Sequence, residues 1–244
     1  MSSLMPGSVS GVLTAASGLT YLVFVPKSWS AASTGAKHPM LLFLHGAGGV
    51  NNPENVLGQS LMRMLTQPDY ADKVNTIVVA PIAPKRPWQP HLEKAVELMD
   101  GLAGELGGDE KRISLAGQSM GGNGAWSLAA LYPGKFCSLA PVCGYIEGGR
   151  EGAGVPSGFD LGRIAHVPTW VFHAADDSVV GVGCSDAAVE GLEDLGAPEV
   201  KYTRYAEGRA PPCKTKAGDL PGHASYELAF REEAFWPWLE SKTL

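Results

Sequence analysis

Seven short apolar runs recur along the chain, at 20–26, 40–45, 76–80, 112–116, 136–142, 169–174 and 200–205. Two of them, MLLFL at 40–44 and TIVVA at 76–80, stay apolar where a half-exposed strand would alternate. That pattern marks central strands covered on both faces, as in a parallel sheet. Longer stretches near 57–66, 92–106, 121–132, 185–196 and 225–240 read as helices, and Asp, Gly and Pro cluster at the joins. Alternating strands and helices predict βαβ units and a doubly wound, mostly parallel α/β fold. No internal repeat, heptad or linker interrupts the pattern, so residues 1–244 are expected to form one domain. The glycine-rich stretch at 144–166 is too short and too polar for a helical lid and is expected to be a surface loop.

Composition narrows the classes. A hydrophobic content of 45% supplies a sizeable core. The net charge is −6 and the basic residues form no stripe, which argues against nucleic acid or an anionic membrane as partner. No run reaches the ~18 apolar residues of a membrane span. The first 18 residues lack a basic start and a long apolar stretch, so an intracellular, cytoplasmic chain is expected. Cys137 and Cys143 sit in an apolar run and read as small buried residues. Cys184 and Cys213 fall in loop-like stretches and are candidates for a disulfide; none of the four has metal-site spacing.

The chemistry centres on LAGQSMGGNGAW, residues 115–126. In a chain with 31 glycines the bare G-x-S-x-G pattern is weak, with about 0.3 matches expected by chance. Its setting raises its value. An apolar strand precedes it and a helix follows, as a sharply turned nucleophile requires. A serine needs a base, and the base needs an orienting acid. In sheets of this kind the acid and then the histidine follow the serine along the chain. TWVFHAADD, at 169–177, ends a strand at the place an acid is needed, and Asp176 and Asp177 compete for the role. Beyond them the one remaining histidine is His223.

An oxyanion hole needs preset N–H donors. One is expected from Met120, directly after the serine. The other comes from LLFLHGAGG at 41–49, with Ala47 as first choice and Gly48 as alternative. His45 and His173, each at a strand end, are expected to hold loops. PKRPWQPH, at 84–91, offers Trp88 and His91 as substrate contacts, or else a rigid proline-rich connection.

Together, LLFLHGAGG (41–49), RISLAGQSMGGNGAWSLAALYPGKFCSLAPVCG (112–144), VPTWVFHAADDSVV (167–180) and GHASYELAF (222–230) resemble the α/β-hydrolase superfamily. More narrowly, they are similar to its esterase branch of feruloyl and acetyl-xylan esterases, polyhydroxybutyrate depolymerases and "predicted peptidases". The resemblance implies Ser119 as nucleophile, Asp177 as acid and His223 as base, with Met120 and Ala47 as oxyanion donors and Gln118 lining the pocket. It implies an α/β-hydrolase fold without a lid domain. The implied activity is serine hydrolysis of short-chain acyl or aryl esters, with a small-molecule ester as partner and neither cofactor nor metal.

The chain departs from the pattern in places. His173-Ala174 stands where His-Gly is usual. Val180-Gly181 stands where a proline often follows, and Tyr226 where a tryptophan is common. The approach to the base, 207–222, is longer than expected. Thioesterase, acyltransferase and peptidase chemistry use the same constellation. A non-catalytic binding relative is the alternative of a different class, and an incomplete set of serine, acid and histidine would mark it.

Overall fold

The computed structural model describes residues 4–31, 37–146, 158–215 and 218–244. Two short strands, β1 (Ser8–Val9) and β2 (Leu13–Thr14), lie antiparallel to β3 (Thr20–Val25). The chain then runs through β4 (His38–Leu44) and three short helices, α1 (Pro53–Leu57), α2 (Ser60–Leu65) and α3 (Pro68–Ala71). Next come β5 (Ile77–Pro81), α4 (Leu92–Leu106), β6 (Gly108–Gln118), α5 (Met120–Leu131) and β7 (Ser138–Val142). β8 (Thr169–Ala174), α6 (Gly183–Asp194) and β9 (Val200–Tyr205) follow. A hairpin of β10 (Cys213–Thr215) and β11 (Gly218–Leu220) precedes α7 (Tyr226–Ala229) and α8 (Phe235–Glu240).

Nine of the described strands form one sheet, ordered β1-β3-β5-β4-β6-β7-β8-β9 with β2 also on β3. From β5 to β9 every neighbouring pair is parallel, while β3 meets β5 antiparallel. All seven strands expected from the apolar runs are present. The two-sided burial read from β4 and β5 holds, since every residue of both is buried. Met40, Leu42 and Leu44 face one core layer, with Leu98 of α4, Trp126 of α5 and Val189 of α6. Leu41 and Phe43 face the other, with Leu61 of α2 and Trp238 of α8. The period of two along β4 thus fills both layers.

Two helices differ from their sequence reading. The stretch 57–66 is broken at Gly58–Gln59, because Ser60 adopts a positive φ of 53° as it enters α2. The stretch 225–240 splits into α7 and α8 around the polar turn Arg231–Glu233, and the Tyr70 hydroxyl donates to the Phe230 carbonyl at the break. No disulfide joins Cys184 to Cys213: Cys184 is buried in α6 and Cys213 lies on the β10–β11 hairpin. The expected surface loop at 144–166 lies largely outside the described residues, which omit 147–157. Among the described residues no helix is long and apolar enough to cross a membrane.

The strand order reverses about β4, with β5 on one side and β6 on the other. A crevice opens at such a switch point, outside the carboxyl ends of the strands. The loop after β4 and the turn after β6 both emerge there.

Candidate active site

Ser119 is the single residue between β6 and α5, at φ 54° and ψ −118°. A non-glycine residue rarely adopts positive φ. Backbone bonds on both sides hold it: Ser119 N–H donates to Val142 at 2.9 Å, and Asn123 N–H donates to the Ser119 carbonyl at 3.0 Å. Gly121 makes the turn possible by close approach, since a Cβ there would collide with the Leu44 carbonyl oxygen of the neighbouring strand. Local glycine chemistry and sheet register together lift the serine to the end of the sheet.

The side chain of Ser119 meets His223, with Oγ 2.9 Å from Nε2. The other ring nitrogen, Nδ1, lies 2.9 and 3.0 Å from the two carboxylate oxygens of Asp177. Asp177 Oδ1 also accepts from the N–H groups of Val179 (2.8 Å) and Val180 (3.0 Å). The Asp177 side chain is wholly buried. Burial alone would raise its pKa, but hydrogen bonds from His173, His223 and Val180 and the charge of His223 outweigh it, holding the group well below the usual carboxylate range. Asp176 turns away, its Oδ2 accepting from Gly208 N–H at 3.0 Å. Of the two competing acids, Asp177 faces the histidine.

The loops carrying Asp177 and His223 touch backbone to backbone. Gly222, at φ 69°, leaves so little room that a Cβ would stand 2.5 Å from the Asp177 nitrogen. Ser178 donates from both N–H (3.1 Å) and Oγ (3.0 Å) to the Pro221 carbonyl. Beneath them Cys143 Sγ lies within 4.8 Å of the nearest ligand atoms of Asp177 and His223. Both His223 nitrogens are already engaged. Burial, then the Asp177 charge, push the thiol pKa up, which disfavours the thiolate a metal would need.

Met120 opens α5 and Ala47 opens a 3-10 turn, Ala47–Gly49, so neither N–H has a partner within its own helix. The loop lies against the serine: a Cβ on Gly46 would be 3.6 Å from Ser119 Cβ. Arg86 donates to the Ala47 carbonyl at 3.2 Å. Gln118 is buried, receives the Ser60 hydroxyl at its Oε1, and helps line a small cavity with Gly46, Gln59 and Ser60.

Two expected substrate contacts are placed differently. Trp88 is fully buried; its indole N–H donates to the His45 carbonyl at 2.9 Å and its ring lies 5.0 Å from that of His45. It props the loop from behind and offers no wall to a substrate. His91 is buried where the 84–91 connection enters α4, its backbone N–H donating to the Trp88 carbonyl at 2.8 Å. The rigid-connection reading of 84–91 fits this placement.

His45 Nδ1 donates to the Gly46 carbonyl at 2.7 Å, while Nε2 accepts from Ala83 N–H at 3.0 Å. Protonating Nε2 would break the second bond. Burial lowers this pKa from 6.5 to about 4. Above pH 6.5 both folded and unfolded chains carry a neutral imidazole and the full stability is present. Below it the unfolded chain takes up the proton first, so stability falls through about pH 4, by a total on the order of 3 kcal/mol. Urea unfolding from pH 7.5 to 4, with wild type and His45→Asn, should show that slope reduced in the variant. Equal slopes would contradict it.

Sequence reasoning did not find Ser60, which carries no motif and reaches Gln118 only through its positive φ. Nor did it find the contact of His173 with the acid, although a histidine four residues before Asp177 at a strand end was a usable signal.

The Esterase family matches residues 16–148. A thermostable esterase of known structure is 29% identical with a TM-score of 0.74 over 96% of this chain; the chain spans 62% of the length of that protein. The feruloyl esterase module from Clostridium thermocellum, solved with sinapinate, superposes with a TM-score of 0.70 at 11% identity, covering 98% of this chain and 91% of its own. Acetyl xylan esterase from Aspergillus awamori gives 0.65 at 13% identity, covering 95% and 99%. A sequence search of curated proteins finds no match. With its strand order, its serine turn and a family match over more than half its length, the chain belongs to the Esterase family and has the α/β-hydrolase fold.

Proposed function

We propose that this chain hydrolyses carboxylic esters through an acyl-enzyme on Ser119. The observation that carries the reading is the continuous hydrogen-bonded line from Ser119 Oγ through His223 to the buried Asp177, in a member of the Esterase family. His223 Nε2 takes the hydroxyl proton as Oγ attacks the ester carbonyl, and Asp177 stabilises the imidazolium that forms. The oxyanion is held by the N–H groups of Met120 and Ala47. The tetrahedral intermediate collapses, His223 gives its proton to the departing alcohol, and a water repeats the sequence to release the acid. Esters are favoured over amides because an alkoxide leaves more readily than an amine.

A groove of about 400 Å³ adjoins the base, lined by Gln59, Pro211, Lys214, Ala224, Tyr226 and Glu227. In this reading it takes one side of a short acyl or aryl ester. Hydrolysis of p-nitrophenyl acetate, butyrate and octanoate, with fluorophosphonate labelling, tests the reading. Turnover of the short esters with labelling of Ser119 is expected. Neither turnover nor labelling would point to a binding protein instead.

A further inference from the structure

His173 is the last residue but one of β8 and is wholly buried. Its Nε2 lies 2.9 Å from the Val180 carbonyl and 3.2 Å from Asp177 Oδ2. Both neighbours are acceptors, so Nε2 must carry a proton. Nδ1 lies 2.7 Å from Oγ of Ser185, a buried residue in the first turn of α6, whose hydroxyl is placed to donate to it.

The two oxygens of Asp177 are served differently. Oδ1 takes two backbone N–H groups, from Val179 and Val180. Among the described residues Oδ2 accepts from His223 Nδ1 at 2.9 Å and has His173 Nε2, whose N–H is shared with the Val180 carbonyl, 3.2 Å away. Without His173, that second oxygen keeps His223 as its one nitrogen neighbour among the described residues, and the orientation of the carboxylate then rests on the backbone N–H groups at Oδ1 and on the base itself. We infer that His173 is a positioning residue for the reaction, fixing the Asp177 carboxylate so that His223 Nδ1 is held in line with Ser119. The His173 N–H, 3.2 Å from Oδ2, also favours the ionised form of the acid in its buried setting. A line of side chains from Ser185 in α6 through His173 and Asp177 to His223 and Ser119 then sets the geometry of the base from inside the core. The inference rests on the esterase reading of Ser119.

The first test uses the unaltered chain. Nitrogen-15 NMR of the histidine rings is expected to show His173 protonated at Nε2; an Nε2 without its proton overturns the proposal. The second uses His173→Leu, which removes the donor, and His173→Gln, whose amide N–H reaches the Nε2 position. For the leucine variant kcat is expected to fall about 10²-fold, as a slightly misplaced catalytic group costs. KM should stay within about twofold and glutamine should recover most of the loss. A folded leucine variant with wild-type kcat, or a glutamine variant no better than it, overturns the proposal. Where the leucine chain does not fold, the glutamine variant and the ring spectrum still decide. If wild type and Ser119→Ala turn over esters equally, the esterase reading fails; wild-type turnover that needs Ser119 but not His173 refutes the positioning role alone.

Discussion

Replacing Ser119 by alanine is expected to lower ester turnover by about 10⁴-fold or more while the chain still folds. The hydroxyl is the sole atom removed, and its hydrogen bond is to His223 at the surface of the crevice. The bonds that hold the turn, to Val142 and from Asn123, use the backbone and survive. Alanine also tolerates the 54° φ no worse than serine. Folding and catalysis therefore separate at this position. Parallel thermal melts and p-nitrophenyl butyrate assays check it, and retained turnover would remove Ser119 from the mechanism. His223→Ala should lose a similar factor.

Asp177→Asn should cost about 10⁴-fold as well, while Asp176→Asn stays within about threefold of wild type. An amide at 177 would keep its oxygen on the Val179 and Val180 N–H groups. Its NH2 would then face His223 Nδ1 and His173 Nε2. To accept from that NH2, His223 must move its proton to Nε2, the nitrogen that has to take the serine proton. The base is then present in the wrong tautomer. At 176 an amide oxygen still accepts from Gly208, and nothing in the line to Ser119 changes. Kinetics of both variants on one ester check the pair, and the reverse order would transfer the acid to Asp176.

The strands were legible because a parallel sheet buried on both faces leaves runs such as 40–44 and 76–80 that no amphipathic helix would show. The serine turn was legible because its glycines answer a steric need that leaves a local signature. Asp177 was separable from Asp176 only by resemblance, since the choice depends on which carboxylate the β8 loop aims at a residue 46 positions away. For Trp88 the residues left two readings open, substrate contact or rigid connection, and only the tertiary fold shows the ring tucked behind the loop after β4. Ser60 and the β10–β11 hairpin left no periodic trace, because one is a lone strained residue and the other has strands of three residues each.

Gly222 bears on how this chain can be re-engineered. Its lack of a side chain lets the loops that carry Asp177 and His223 meet as bare backbone, clamped by Ser178 on Pro221. The spacing of Asp177 and His223 is thereby set by backbone contacts at 177–178 and 221–222. On the esterase reading, Pro211 and Lys214, which line the groove, are the positions to vary for substrate preference, with Pro221–Gly222 left untouched as the fixed seam. A library that randomises position 222 instead should return glycine almost alone.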